Sequence, residues 1–443
     1  MVVGDNPRMV AVTALVHQEQ NGFSNLVLDA QLRKSTLSGR DRAFAGAIFY
    51  TVLEHQGTLD YILEQFLPRG LARLDPPVRE ILRSALAQAR YMQVPASAAV
   101  NEAVRLTRAF KKSSASGLVN AVLRRACAFD LDTAVFSDEI QRLMVLGSAG
   151  RDVAEFLHRN YPEEALGILT QQADEGQTSL RANPLRASAE ELCVLLQERG
   201  TAQTQPGLVP GSVLARFHGS PAGNDLFREG YFHVEGQASQ LAALCVEAKP
   251  GETVLDLCAA PGGKTLLLAE QMQDTGHLFS CDVSENRVDL IRSAVRRMGF
   301  ACVHPVVSDA THPDARLPQA DRILADVPCS GLGILAKKPD LRYKTLDPAR
   351  QRELLDTQAA ILDSAAALLK PGGRLVYSTC TIDPAENGQQ VRAFLARHPE
   401  FAVVQPGVAF PNGMTAGQYG ALSVPTRTGM DGFFLCAMRK SAQ

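Results

Sequence analysis

Two cysteines stand in short peptides whose residue types could do chemistry. Cys329 follows a proline within residues 326–331, and Cys380 follows a Ser-Thr pair. Upstream, residues 255–265 contain a Pro-Gly-Gly turn, which is typical of a loop that binds a nucleotide-like cofactor. A cysteine thiolate can split one difficult reaction step into two easier ones. Two thiols downstream of such a loop therefore indicate methyl transfer to a carbon that a cysteine first makes nucleophilic.

Acidic residues downstream of the glycine turn indicate what the loop binds. The turn lacks the spacing of a P-loop, so a triphosphate is not favoured. Asp282 is placed to accept hydrogen bonds from ribose hydroxyls, and Asp309 is placed near an adenine base. Each of the two could instead be only a helix N-cap, Asp309 more readily than Asp282. Together they favour an adenosine-containing ligand.

The cysteine spacing predicts neither disulfides nor a metal site. The nine cysteines include no Cys-x-x-Cys pair and no His/Cys metal spacing, which indicates a reducing cytoplasm. Cys258 lies in the glycine loop, where it contacts a ligand at most. Five others lie in apolar runs and are predicted to be core residues, namely Cys193, Cys245, Cys281, Cys302 and Cys436.

Composition limits the class of protein. A chain of 443 residues with 46% hydrophobic and 21% charged residues predicts two or three soluble globular domains. It shows no apolar run of membrane-spanning length and no secretory signal, so we expect a cytoplasmic protein. The net charge is −2, but residues 1–130 carry +5 and the remainder −7. This asymmetry is a weak indication that the N-terminal part contacts a polyanion.

The pattern predicts three domains. Residues 1–130 read as an all-α bundle of six or seven helices, because apolar residues recur at helical spacing over residues 8–127. Residues 131–240 read as a small α+β connecting domain with a loop and short strands over 200–224. Capping residues and apolar spacing place helices at 40–53, 78–92, 97–110, 137–146, 152–158, 163–172 and 189–198.

Residues 241–443 alternate between apolar strands and helices, which predicts a parallel Rossmann-like sheet with helices on both faces. Two later runs, 401–404 and 433–438, can add edge strands. The candidate residues follow the ends of the strands, where such sheets bind ligands. The predicted strands are 253–257, 278–281, 303–307, 322–325 and 374–377, and the predicted helices are 265–272, 285–298 and 348–369.

These peptides carry a family resemblance. Residues 258–265, 326–331 and 378–381 closely resemble the RNA cytosine-C5 methyltransferases that use S-adenosylmethionine. Residues 101–104 and 117–125 resemble the NusB-type RNA-binding domain. The pairing is similar to the 16S ribosomal RNA methyltransferases of the RsmB/NOP family, over nearly the whole chain.

The resemblance implies roles for individual residues. Cys380 corresponds to the nucleophile and Cys329 to the cysteine that helps release the methylated product. Asp326 would bind the N3/N4 edge of the base. Val327 stands where the family commonly has alanine, which removes no reacting group. Contacts to S-adenosylmethionine are implied for Cys258, Ala259, Ala260, Pro261, Gly262, Gly263, Lys264, Asp282, Asp309 and Asp326.

Spacing alone leaves some of these roles open. Cys329 is a rival nucleophile, because a Pro-Cys motif supplies the attacking thiol in DNA cytosine methyltransferases. We prefer Cys380 because the two-cysteine arrangement resembles the RNA enzymes. Lys264 could orient groups in the site or could be a surface lysine at a helix end.

Basic residues predict where RNA binds. The segment 336–344 follows Cys329 and is predicted to contact the substrate backbone. A second RNA-binding face is predicted in the helical part, although solvated helix ends explain its charges equally well. It comprises Lys111, Lys112, Arg124 and Arg125.

We therefore expect an enzyme that uses S-adenosylmethionine to methylate C5 of a cytosine in 16S ribosomal RNA, through a covalent cysteine–C6 adduct. A transfer RNA substrate and a non-catalytic RNA-binding factor are the alternatives. We expect a monomer with RNA as its partner, and neither a metal nor a membrane.

Overall fold

The computed structural model describes residues 6–21 and 24–442, which form two compact units. The first unit comprises Met1–Thr170 with Lys338–Thr345, and the second comprises Gln171–Lys337 with Leu346–Gln443. The boundary expected at residue 240 falls inside the second unit, and the three-domain division stays a prediction.

The first unit is helical. Its helices are α1 Pro7–Asn21, α2 Ser24–Arg33, α3 Gly39–Glu64, α4 Pro76–Tyr91, α5 Ala96–Ala109, α6 Ser116–Ala126, α7 Glu139–Leu146, α8 Arg151–Asn160 and α9 Ala165–Thr170. Over the described part of residues 8–127 there are six α-helices, as predicted. Helix α3 continues well beyond the predicted end at residue 53 and bends at His55, which has non-helical backbone angles. None of the described helices of the chain is long and apolar enough to cross a membrane.

A short segment from the C-terminal half belongs to this helical unit. The 3-10 turn Pro339–Tyr343 packs against α3 and α8. The Arg342 guanidinium donates to the carbonyl of Glu54 at 3.1 Å, and the Tyr343 hydroxyl accepts from the N–H of Gly57 at 3.0 Å. Arg342 is buried, so this arginine of the segment 336–344 cannot make the contact with RNA that was predicted for the segment.

The second unit begins with a four-stranded antiparallel sheet. Its strands are β1 Thr178–Ala182, β2 Ala202–Pro206, β3 Ser212–Phe217 and β4 Phe232–Val234, in the order β2-β3-β1-β4. Two helices lie between its strands in the chain, α10 Ala189–Glu198 and α11 Asp225–Arg228, and helix α12 Gln237–Leu244 follows β4. Strands β2 and β3 are the short strands predicted within 200–224. Strands β1 and β4 were not predicted, because five and three residues are too few to show a clear alternation.

The rest of this unit is built on a nine-stranded sheet. Its strands are β5 Thr253–Asp256, β6 His277–Asp282, β7 Val303–Val307, β8 Ala320–Asp326, β9 Leu369–Thr379, β10 Phe401–Val403, β11 Thr415–Gly417, β12 Gly420–Ser423 and β13 Phe433–Lys440. Its helices are α13 Gly263–Gln271, α14 Glu285–Met298, α15 Pro348–Leu368, α16 Gly388–Arg397 and α17 Pro425–Thr428. Five strands are parallel, in the order β7-β6-β5-β8-β9, as the Rossmann-like prediction requires.

The prediction that residues 433–438 form an edge strand is wrong. Strand β13 lies inside the sheet, antiparallel to both β9 and β12, and β10 also pairs with it. Its first six residues are all buried. A continuous apolar run of this kind is typical of a strand covered on both faces, whereas an edge strand usually alternates.

The strand order creates a ligand-binding crevice. The chain proceeds outward from β5 to β6 and β7, then returns to place β8 and β9 on the other side of β5. Ligands in such sheets bind at this reversal, beyond the carboxyl ends of the strands. The five candidate residues lie at or just after the ends of β5 to β9, as predicted, namely Cys258, Asp282, Asp309, Asp326 and Cys380.

Candidate active site

The glycine loop depends on two glycines for different reasons. Gly262 has φ of 111°, which side chains rarely tolerate. Gly263 begins α13, and a Cβ there would lie 3.1 Å from Oε1 of Glu235. The loop thus brings backbone and a helix N-terminus to the crevice, where these groups suit an anionic or polar ligand.

Asp282 is the acid that the structure places beside this loop. It is buried, pairs with Arg287 at 3.2 Å and accepts a long hydrogen bond from the N–H of Ala260 at 3.4 Å. Its carboxylate is therefore oriented at the end of β6, where an adenosine ribose would bind. The contact to ribose stays a prediction.

Asp309 has a local role. Its Oδ1 accepts from the hydroxyl of Thr311 at 2.7 Å and from the Thr311 N–H at 2.9 Å. These two hydrogen bonds lower the pKa of Asp309. No described helix begins directly after Asp309, so the helix N-cap alternative is wrong for this residue, which instead closes a local turn with His312. Its contact to the adenine base stays a prediction.

Lys264 and Asp326 form an ion pair at the centre of the site. The Lys264 Nζ lies 2.8 Å from Oδ2 of Asp326, whose Oδ1 accepts from the Ser378 hydroxyl at 2.7 Å. Burial by itself would lower the pKa of Lys264, but the charges of Asp326 and Glu235 outweigh it and raise the pKa. Lys264 is therefore a partly buried ammonium with 14% of its side chain exposed, and the surface-lysine alternative is wrong.

Glu235 is a second carboxylate near Lys264 that the sequence reading missed. It lies buried between β4 and α12, 3.2 Å from Nε2 of His233, and accepts from the Ser239 hydroxyl at 2.8 Å. Burial acts to raise the pKa of Glu235, but His233 and Lys264 lower it overall. Nothing in the sequence around Glu235 marks it as part of the site, because Gly263 and Lys264, which connect it to the site, belong to a different element, α13.

The two candidate cysteines lie side by side. The Sγ atoms of Cys329 and Cys380 are 3.1 Å apart, and both residues are half-buried thiols. Pairing of β8 with β9 sets Asp326 opposite Ser378, which brings the two following loops together. The contact with Cys380, then burial and the charge of Glu386, raise the pKa of Cys329 well above its usual range. The Cys329 thiol therefore loses its proton less easily than an ordinary cysteine does.

A buried clamp holds the Cys329 turn. Glu386 Oε2 accepts from the N–H of Ser330 at 2.9 Å. The Gln358 amide donates to the same oxygen at 2.9 Å and to the carbonyl of Pro328 at 3.0 Å. The peptide groups on both sides of Cys329 are thus fixed by side chains that have no solvent exposure. Sequence reasoning missed both residues, since Glu386 and Gln358 lie in segments without a motif.

The residues that directly precede β13 close the other side of the Cys329 loop. Gly333 donates to the carbonyl of Cys380 at 3.0 Å, and Gly432 donates to the carbonyl of Gly333 at 2.7 Å. A Cβ on Gly333 would overlap the carbonyl oxygen of Gly432.

Lys337 pairs with Asp431 at 2.6 Å, so this residue of the basic segment 336–344, which was predicted to contact RNA, has an internal partner. Of the predicted basic segment, Lys337 and Lys338 are exposed.

Burial raises the pKa of two further groups in the loop region. Burial raises the pKa of Asp256 to about 7, although the Thr265 hydroxyl donates to it at 2.8 Å. Burial, followed by the charges of Asp256 and Asp326, raises the pKa of Cys258 well above its usual range. Cys258 is therefore a poor nucleophile, and its contact with the ligand stays a prediction.

Two protein families match this chain, one in its N-terminal part and one in its C-terminal part. Residues 243–439 match the family described as 16S rRNA methyltransferase RsmB/F, and residues 5–128 match the NusB family. A curated relative from Bacillus subtilis (strain 168), "Probable ribosomal RNA small subunit methyltransferase B", is 33% identical over 98% of each chain.

Solved structures show the same fold. The structure titled "Crystal Structure of PH0851" has a TM-score of 0.81 and 28% identity, and the match covers 98% of this chain and 99% of that chain. NSun6 from Pyrococcus horikoshii, solved with SFG, has a TM-score of 0.60 and 19% identity, covering 67% of this chain and 100% of that one. The multidomain fold class predicted from the sequence is confirmed.

The buried carboxyl of Asp256 predicts a pH dependence of stability. Its pKa is about 7 in the folded chain against an ordinary 3.8, so the folded state holds a proton that the unfolded state releases first. The free energy of unfolding should therefore fall, relative to Asp256→Asn, as pH rises from about 4 to about 7, by at most about 1.4 kcal/mol per pH unit. Above pH 7 the difference should be constant.

Denaturant titrations of the wild type and Asp256→Asn across this range measure the difference. Asp356→Asn, at an exposed position, controls for loss of a carboxylate. Parallel stability curves for the wild type and Asp256→Asn would show that Asp256 is ionised in both states.

Proposed function

This chain belongs to the RsmB/F family of 16S rRNA methyltransferases, and we propose that it methylates C5 of a cytosine in small-subunit ribosomal RNA through a covalent adduct of Cys380. Methyltransferases of this family depend on S-adenosylmethionine, which confirms the predicted cofactor. The observation that carries the proposal is the contact of two thiols beside the Lys264–Asp326 ion pair.

The residue types match what the reaction requires. C5 of cytosine is a poor nucleophile, and addition of the Cys380 thiolate to C6 turns the ring into an enamine-like species that is reactive at C5. When bound, S-adenosylmethionine supplies an electrophilic methyl group. The glycine loop and Asp282 are the groups that would hold it, because both lie at the carboxyl ends of adjacent strands.

Asp326 and Lys264 would stabilise the base while charge develops on it. Addition at C6 places negative charge on N3, and a partly buried ion pair at the same end of the sheet as the thiols can orient donors toward that edge without reorganising. Ser378 and Lys264 each bind one oxygen of the Asp326 carboxylate, so its direction is set before substrate arrives.

Cys329 would act after the methyl transfer. While Cys380 is free of substrate, contact with its sulfur is the largest cause that raises the pKa of Cys329. In the adduct the Cys380 sulfur is a neutral thioether, so this cause disappears and Cys329 releases its proton more easily. A thiolate there can take the C5 proton, and expulsion of Cys380 then frees the methylated base.

The target cytosine must leave its stack to reach the crevice, which costs least in unpaired RNA. We further propose that the enzyme works as a monomer in the cytoplasm and without a metal ion. A transfer RNA substrate and a non-catalytic RNA-binding function remain the alternatives, and each of them predicts a different result in bisulfite sequencing of cellular RNA.

The unequal roles of the two cysteines predict that their alanine variants behave differently. Cys380→Ala should lower turnover by on the order of a thousandfold or more and form no adduct, because it lacks the attacking atom. Cys329→Ala should attack but fail to release, so an RNA–protein adduct should accumulate. Denaturing gels with labelled RNA measure the adduct, and Cys193→Ser is the control at a half-buried cysteine of the four-stranded sheet region. An adduct that persists in Cys380→Ala but is absent in Cys329→Ala would reverse the assignment.

The substrate is tested in cells that carry or lack the gene. Bisulfite sequencing of total RNA should show one or more 5-methylcytosines in 16S ribosomal RNA that disappear with the gene and return with the wild-type copy. Loss of a methylcytosine in transfer RNA would support the second candidate substrate. An unchanged pattern would contradict an enzymatic function and favour the binding factor.

The proposed RNA-binding face lies on the helical unit. Arg124, Arg125 and Lys111 are exposed, and Arg125 lies over the ring of Phe66 at 4.5 Å. Lys112 is partly neutralised by Asp75 at 2.8 Å. Three exposed cations on neighbouring elements suit attraction to RNA phosphates, which supports the predicted face.

Changing Arg124 and Arg125 together to Ala should weaken RNA binding and reduce the slope of log K against log salt by about 0.7 for each lost contact to a single strand. Fluorescence anisotropy with a 16S fragment over a salt series measures the slope. Arg33→Ala with Arg151→Ala is the control, because both side chains are exposed cations elsewhere on the unit. An unchanged slope would mean that the two arginines are only solvated helix ends.

A further inference from the structure

We propose that Cys329 and Cys380 form a reversible intramolecular disulfide when the chain meets a hydroperoxide, and that this bond is a redox modification site of the protein. The proposal concerns the resting chain. It does not depend on which of the two cysteines attacks the RNA base.

The distance between the sulfur atoms is the first observation. Sγ of Cys329 lies 3.1 Å from Sγ of Cys380, about 1 Å more than the roughly 2.05 Å of a disulfide bond. A small rotation of two side chains covers such a gap. Formation of the bond therefore needs no rearrangement of the sheet.

The backbone around the thiols is held on several sides. Val327 donates to the carbonyl of Ser378 at 3.1 Å, and the hydroxyls of Ser330 and Thr381 lie 2.7 Å apart. These contacts join the residues before and after the two cysteines. Because the loops are fixed, each sulfur meets the other at a high effective concentration, which favours an intramolecular reaction.

Access and reactivity are the second observation. Both residues are half-buried, whereas Cys245, Cys281 and Cys436 are fully buried in the sheet region. A thiol must be accessible and adjacent to a second thiol to act as a reversible redox site. Cys329 can resolve an oxidised Cys380 as soon as its thiol gives up the proton, because the two Sγ atoms already lie 3.1 Å apart.

The chemistry balances with one hydroperoxide. The Cys380 thiolate attacks the terminal peroxide oxygen, the O–O bond breaks, and an alcohol or water leaves while Cys380 becomes a sulfenic acid. Cys329 then attacks this sulfur, the S–O bond breaks, and the hydroxyl leaves as water with the proton of the Cys329 thiol. Two thiols lose two electrons, and the peroxide gains them.

The bond would stop the proposed methylation without destroying the site. Neither sulfur can add to a base while both are joined, and a thiol reductant restores both. Joining the pair also protects Cys380 from further oxidation to sulfinic acid, which thiols do not reverse.

Treatment of the full chain with hydrogen peroxide, followed by alkylation and digestion without reduction, tests the proposal. We expect a linked peptide pair that contains Cys329 and Cys380, and loss of two of the nine alkylatable thiols under denaturing conditions. Methylation should fall at least about tenfold, and dithiothreitol should restore both the thiols and the rate. The mass readout stands even if the chain methylates a different RNA or none, so the two proposals fail separately.

Matched variants decide the remaining outcomes. Cys127→Ser and Cys193→Ser, at half-buried cysteines away from the site, should still form the linked peptide. In Cys329→Ser the bond cannot form, and Cys380 should instead reach sulfinic acid that dithiothreitol does not reverse. Nine alkylatable thiols after treatment of the wild type, a bond to another cysteine, or sulfinic acid at Cys380 of the wild type would each overturn the proposal.

Discussion

The pairing of β8 with β9 is the interaction on which the site depends. Their parallel register sets Asp326 opposite Ser378. The Ser378 hydroxyl donates a hydrogen bond to the Asp326 carboxylate, which stabilises this register at the end of the two strands. A slip of one residue in either strand would turn its side chain to the other face of the sheet, away from its partner, and separate the loops that follow. The contact between Cys329 and Cys380 is therefore a consequence of strand pairing.

The partly buried Lys264–Asp326 ion pair is stable because each charge has more than one partner. Lys264 is bound by Asp326 and lies in the field of Glu235, while Glu235 is also bound by His233 and Ser239. An uncompensated charge at the same depth would cost several kcal/mol. The four-stranded sheet region supplies Glu235 and His233, so it contributes to the electrostatics of a site whose reacting groups lie elsewhere.

Much of the C-terminal fold could be predicted because its signals are local. Strands β5 to β9 are short apolar runs, and Cys258, Asp282, Asp309, Asp326 and Cys380 follow them within a few residues, as the structure confirms. The interior position of β13 could not be predicted, since pairing with β9 and β12 joins segments far apart in the chain. Glu386 and Gln358 were missed for the same reason: each acts on the Cys329 turn from another element.

Residue types and short peptides were enough to identify a cofactor loop, two candidate thiols and a helical N-terminal part. They could not decide whether Lys264 is a surface residue or a partly buried ammonium, or show that the pKa of Cys329 is raised. Those properties depend on burial and on the charges within a few ångströms, which arise only when β4, α13, β8 and β9 are brought together. The local chain carries the chemical groups, and the tertiary structure sets their charge states because desolvation and Coulomb interactions act through space.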